Sequence, residues 1–246
     1  MPAAPGRIHQ AGLALAAAAA PLPAVVVLLG AANLLNNRLA PQAYVATCGA
    51  TAGAALLLAR WDGCSWSELG VGSPRPGLRW SLAAAAVTLP CYAVAAALPA
   101  TRPAFLDARA AGLSGADVLA RCLVRIPLGT ALLEEVGFRG VLYAMLARRH
   151  GVRAAVLVSS LLFGLWHVLP SLALYQDNAA VGELVGGGRR GGAAAVAGAV
   201  AVTALAGVAF CGLRRRSGSL LAPFVLHWTL NAVGLVLAWN LTAAAR

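Results

Sequence analysis

Apolar runs of membrane-spanning length take up most of this chain, and no other feature constrains its fold as strongly. A helix needs about 20 mostly apolar residues to cross a hydrocarbon layer of roughly 30 Å. Six runs are clear, at residues 11–35, 43–58, 80–98, 154–169, 193–213 and 220–241. A seventh, 118–146, is too long: as one helix at about 1.5 Å per residue it would measure about 44 Å. A break or bend is therefore expected near Pro127, Gly129 or Gly137. Inside a bilayer every backbone polar group must be satisfied internally, which favours helices. The expectation is an all-α, polytopic transmembrane bundle of seven or eight helices with no soluble domain. A hydrophobic fraction of 60%, a charged fraction of 11% and a mean hydropathy of +0.77 agree with it.

The first run follows Arg7 and invites a signal-peptide reading. It exceeds the 7 to 15 residues of a signal core and ends without a small-residue cleavage site, so a retained helix is expected. The net charge of +11 comes from 19 arginines and no lysine. Alternating the loops from an inside N-terminus places Arg7, Arg60, Arg75, Arg79, Arg148, Arg149, Arg153, Arg214, Arg215 and Arg216 on one side. Arg38, Arg102, Arg109, Arg189, Arg190 and Arg246 fall on the other. The excess agrees with the positive-inside rule, so the charge is topological and a nucleic-acid partner is not expected. Cys48, Cys64, Cys91, Cys122 and Cys211 stand at unrelated spacings without a CxxC and read as small core residues. "GGGRRGG" at 186–192 has neither a preceding strand nor a GK[ST] ending, so it is no phosphate loop.

An ionisable side chain at the centre of a span costs about 2.5–3.5 kcal/mol on insertion scales, so each one needs a reason. The residues in question are Arg121, Arg125, Glu134, Glu135 and Arg139 on the long run, His167 on the next, and His227 with Asn231 on the last. Residues four apart share a helical face, so Glu135 can pair with Arg139. Glu134 lies about 100° away, on the face of Thr130 and Phe138. The same spacing aligns Phe163 with His167 and His227 with Asn231. Glu134 precedes Arg148 by 14 residues and His167 follows Arg153 by 14, which sets both about 21 Å from that basic loop. Asn231 is about 22 Å and His227 about 16 Å from Arg216. If both basic loops lie on one side, four polar groups on three helices meet in one layer.

Three chemistries suit such a layer. Glu134 is a plausible general base for a hydrolytic water, with His167 activating or positioning it and His227 and Asn231 donating to an oxyanion. Glu134, His167 and His227 also have the composition of a three-ligand catalytic zinc set. Proton or ion transport through the same layer is the third. HExxH, GxSxG and any Ser/His/acid trio are absent, so hydrolysis would use water directly. No inverted repeat supports the transporter. Trp166 and Trp228, beside the two histidines, fit either a cavity wall or a lipid-facing surface.

The three motifs, EExxxR at Glu134, Glu135 and Arg139, FxxxH at Phe163 and His167, and HxxxN at His227 and Asn231, together resemble the CPBP intramembrane proteases. These include CAAX prenyl endopeptidases similar to the Ras-converting enzyme and the bacterial Abi bacteriocin-processing and immunity relatives. The resemblance covers residues 116–241, with "WSELGV" at 66–71 as a weaker feature, and leaves residues 1–115 as N-terminal spans. It implies a conical polar site inside a helical membrane core and cleavage of a peptide bond in or near the bilayer. Glu134 and His167 would activate water, His227 and Asn231 would stabilise the oxyanion, and Glu135, Arg139 and Phe163 would support them. Zn²⁺ is an implied cofactor, and action without a tightly bound metal is the other option. The expected substrate is a peptide or protein reaching the site through the bilayer, and the expected location a bacterial cytoplasmic membrane. A catalytically silent scaffold or immunity protein of the same fold is the rival reading.

Overall fold

A computed structural model describes residues 21–244. Arg7, His9, Arg246 and the first ten residues of the 11–35 run lie outside the described residues. From Pro21 the chain forms α1 (Pro21–Leu34), which continues as a π-helical turn over Leu35–Leu39. Then come α2 (Tyr44–Trp61) and α3 (Pro74–Ala97), separated by the loop that carries "WSELGV". Helical structure next runs from Gly115 to Trp166. Gly151, at φ 79 and ψ 168, divides it into α4 (115–150) and α5 (152–166). That backbone region is almost closed to side-chain-bearing residues, so glycine sets the corner between the two helices. Two short helices, α6 (Leu174–Asp177) and α7 (Ala179–Val185), lead into α8 (Gly188–Ser217) and α9 (Leu221–Ala244).

Among the described residues five helices are long and apolar enough to cross a membrane, or six if Gly115–Trp166 and Leu169–Asp177, bent by 42°, form one span. That is fewer than the seven or eight expected for the whole chain. The seven apolar runs do fall on separate helices, but α4 carries too many charges, and α5 at about 22 Å is too short to span alone. Only 6% of the apolar window of α3 is buried, which leaves that helix on the lipid-facing periphery, packed along α9.

The break expected near Pro127, Gly129 or Gly137 is not there. The helix is instead rewound, with π-helical stretches at Arg121–Ala131 and Glu135–Leu142 flanking a single α-turn, Leu132–Glu134. Pro127 lacks an N–H, and a wider turn accommodates that loss without severing the helix. Gly129 serves close approach, since a Cβ there would sit 2.7 Å from the Tyr44 ring. Val25, Leu29, Leu133, Phe138, Val141, Leu142 and Met145 form the apolar core between α1, α2 and α4. Hydrocarbon surrounds such a bundle, so close packing rather than water exclusion holds it together.

Three basic clusters meet at one end of the bundle. Arg148 Nη1 lies 3.1 Å from Glu68 Oε1, and Arg214 Nη2 donates to the Glu68 carbonyl at 2.5 Å. Arg149 donates to Asp62 Oδ2 at 2.7 Å. The 62–73 loop therefore ties the 148–153 corner to the end of α8, as one-sided basic loops require. Leu69 of that loop is fully buried, and the Leu220 amide donates to the Gly70 carbonyl at 2.9 Å. At the opposite end Asn178 caps α7 through the Val181 amide and donates to the Ala104 carbonyl at 2.9 Å. The 170–187 segment thus docks on the loop after α3.

Candidate active site

Glu134 closes the α-turn between the two π-helical stretches of α4 and is 4% exposed. Its Oε1 accepts a 3.0 Å hydrogen bond from Trp166 Nε1. Its Oε2 has no hydrogen-bond partner among the described residues, and faces His227 Nε2 at 3.7 Å and His167 Nε2 at 3.9 Å. A buried carboxylate oxygen needs a donor, and the two imidazoles leave Oε2 directed into the space between them.

His167 follows the last residue of α5, where the chain leaves helical geometry (φ −85, ψ 0). Its Nδ1 is 2.8 Å from the Phe163 carbonyl, which can only accept, so Nδ1 carries a proton and neutral His167 turns a lone pair on Nε2 toward Glu134. The ring also stacks edge-on against Phe163, with centroids 4.7 Å apart. Both contacts follow from the four-residue spacing of the FxxxH motif.

Glu135 and Arg139 are each 1% exposed and lie 3.3 Å apart, the pairing that their spacing predicts. The contact is one of charge rather than aligned hydrogen bonds, because neither guanidinium Nη atom meets hydrogen-bond geometry. The guanidinium also lies 3.8 Å from the centre of the Phe163 ring and 4.9 Å from that of Phe210. Aromatic faces thus supply part of the stabilisation that water would give outside. Glu135 has a second partner that spacing does not reveal: its Oε1 is 2.8 Å from His227 Nδ1. A carboxylate paired with Arg139 accepts, so His227 donates through Nδ1 and points Nε2 at Glu134.

Three of the four expected groups therefore converge. Asn231 is one turn beyond His227 on α9, exposed and without a hydrogen bond among the described residues. Trp166 was left open between cavity wall and lipid, and it belongs to the site. Trp228 instead donates to the Cys122 carbonyl at 2.6 Å, clamping α9 to α4. Asn33 of α1 was missed: its Nδ2 donates to the Trp166 carbonyl at 2.7 Å. The available signal was an amide buried in an otherwise apolar span. Arg125 lies 4.0 Å from the centre of the Tyr44 ring, whose hydroxyl is 2.9 Å from Thr130 Oγ1.

The zinc set of Glu134, His167 and His227 is the right mixture of donors for a catalytic metal. Tetrahedral ligands at about 2.0–2.1 Å from an ion stand roughly 3.3 Å apart, whereas the atoms here are separated by 3.7 and 3.9 Å. Among the described residues no three His, Cys, Asp or Glu side chains form a metal-holding cluster. The site as arranged is therefore wider than a bound zinc would leave it, and the two imidazoles would have to close on the ion.

No curated protein and no solved structure matches the chain. The model of the type II CAAX prenyl endopeptidase Rce1-like family matches residues 117–233. That segment holds Glu134, Glu135, Arg139, Phe163, Trp166, His167, His227 and Asn231, and over it the chain is similar to the Rce1-like CAAX prenyl endopeptidase family.

Proposed function

We propose that the protein is a multi-pass intramembrane endopeptidase that hydrolyses a peptide bond of a membrane-associated substrate with water activated by Glu134 and His167. The observation that carries this reading is the unpartnered Glu134 Oε2 facing two imidazole Nε2 atoms. Two acceptors 3.9 Å apart can be bridged by one water at about 2.8 Å from each. Both protons of that water are then engaged, and its lone pairs are left to face a carbonyl carbon.

As the water oxygen adds to the carbonyl, its proton passes to Glu134, and the carbonyl oxygen becomes an oxyanion. The exposed Asn231 amide and a protonated His227, its Nδ1–H fixed on Glu135, donate to that oxyanion. Collapse of the tetrahedral adduct breaks the C–N bond, and the proton held by Glu134 goes to the leaving amine. A carboxylic acid and an amine result, the acid's remaining proton passes to the amine to give carboxylate and ammonium, and the enzyme is restored.

The family supports a CAAX-type substrate, a prenylated cysteine followed by a short C-terminal extension. The test is purified protein in liposomes acting on an internally quenched prenylated CAAX peptide. Wild-type protein is expected to cleave it, and Glu134→Gln to abolish cleavage while leaving the thermal unfolding curve in place. Cleavage that survives in Glu134→Gln would refute the mechanism.

A further inference from the structure

We infer that Trp166 is a positioning residue for Glu134, and that Asn33 of α1, outside the family-matched segment, holds Trp166 in place. The inference rests on the reading of Glu134 as the base that activates water.

A glutamate side chain has free rotation and two equivalent oxygens, so something must decide which oxygen faces the histidines. The indole N–H is a donor only, and at 3.0 Å it claims Oε1, leaving Oε2 for the histidine side. No other hydrogen bond reaches the Glu134 carboxylate among the described residues. The orientation of the base is therefore set by one side chain.

That side chain borders open space. A cavity of about 190 Å³ lies there, lined by Leu29, Gly30 and Asn33 of α1, Phe138 and Leu142 of α4, and Leu165 beside Trp166. Edge-on contact with Phe138, centroids 5.6 Å apart, is the ring's aromatic packing. What fixes the residue at its other end is the Asn33 bond to its backbone carbonyl. That carbonyl ends α5, where helix carbonyls lack partners in their own helix. Asn33 is itself braced, since Asn37 Nδ2 donates to its Oδ1 at 2.7 Å and to its carbonyl at 2.9 Å. A file of contacts, Asn37 to Asn33 to Trp166 to Glu134, thus runs from α1 to the reacting centre. Without the Asn33 bond the end of α5 is free to let the indole swing into the cavity, and Glu134 then loses its orientation.

The experiment replaces Trp166 in two ways. Trp166→Phe removes the donor and part of the ring, and benzothienylalanine at position 166 removes only the N–H while keeping shape. With the quenched prenylated CAAX peptide, each is expected to lower kcat about ten- to a hundredfold, the worth of a hydrogen bond to a charged group, with KM within about twofold. Asn33→Leu is expected to lower kcat about three- to tenfold, and the Asn33→Leu, Trp166→Phe double variant to match Trp166→Phe alone, because both act along one path. Unchanged kcat in the benzothienylalanine protein, or a loss confined to KM, overturns the inference even where Glu134→Gln is inactive. Full activity in Glu134→Gln overturns the underlying reading instead. A readout independent of turnover is the ¹⁵N-indole NMR spectrum in nanodiscs: one downfield indole resonance, absent in Trp166→Phe, should move upfield in Glu134→Leu. A resonance that stays in place also overturns the inference.

Discussion

His227 Nδ1 sits 2.8 Å from Glu135 Oε1, which makes the second carboxylate of the EE pair the device that aims the second histidine. Glu135 therefore has two duties, neutralising Arg139 and orienting His227, and they predict different failures. Removing Glu135 leaves a guanidinium that is 1% exposed without its counter-charge. Glu135→Leu is expected to destabilise the protein by about 3–5 kcal/mol, and the Glu135→Leu, Arg139→Met double variant by clearly less. Thermal unfolding in detergent measures both. The double variant should still turn over poorly, since His227 has lost its anchor.

Asn231 is expected to separate activity from stability. It is exposed and has no hydrogen bond among the described residues, so Asn231→Ala should leave the unfolding midpoint unchanged. Loss of one oxyanion donor is expected to lower kcat about 10²–10³-fold. Steady-state kinetics on the prenylated CAAX peptide decide it, and a rate within threefold of wild type would remove Asn231 from the mechanism.

The four-residue spacings in the sequence anticipated Glu135 with Arg139 and Phe163 with His167, because both pairs lie within one turn of a helix. The seven apolar runs likewise anticipated separate helices, including the corner at Gly151. Contacts that depend on tertiary fold were not legible. Asn33 and Trp166 are 133 residues apart, and nothing local marks them as partners. The π-helical winding of α4 was hidden too, since Pro127 and Gly129 suggest a break as readily as a wider turn. Asn231 shares the spacing of His227, but spacing alone cannot say which of them becomes buried.

Chelation tests the metal directly. The 3.7 and 3.9 Å separations predict that treatment with a strong zinc chelator leaves the hydrolysis rate within about twofold of its starting value. A rate lost on chelation and restored by added Zn²⁺ would mean that both Nε2 atoms close on an ion when it binds.

Two glycines with open surroundings should respond in opposite ways. Gly151 has φ +79 and no atom within 4 Å of an added Cβ, so Gly151→Ala pays only for its backbone, about 1–3 kcal/mol. Gly53 lies inside α2 with equally open space, and Gly53→Ala should stabilise by about 0.5–1 kcal/mol. Unfolding midpoints of the two variants should therefore fall on either side of wild type.

The 62–73 loop carries a pH signature. The Ser65 hydroxyl and amide, with Arg148 adding its charge, hold the Glu68 carboxyl below its ordinary value of 4.5. A lowered folded value means that Glu68 contributes stability above pH 4.5, and the contribution fades as pH falls below 4.5 through the lowered value. Hydrogen exchange at residues 62–73 should accelerate on acidification below 4.5, and Glu68→Gln should reduce that dependence. The effect is modest because the carboxylate is 41% exposed to screening solvent.

The bond from Arg214 to the Glu68 carbonyl also bears on biogenesis. The two residues are 146 positions apart in the chain. During synthesis the loop emerges long before the end of α8, and His227 emerges later still. Until α8 is inserted the loop has its Arg148 and Arg149 ties but not its Arg214 tie, and until α9 follows Glu134 has only one histidine. In the mechanism proposed above, a chain assembled in that order has no complete site until its final helix is inserted.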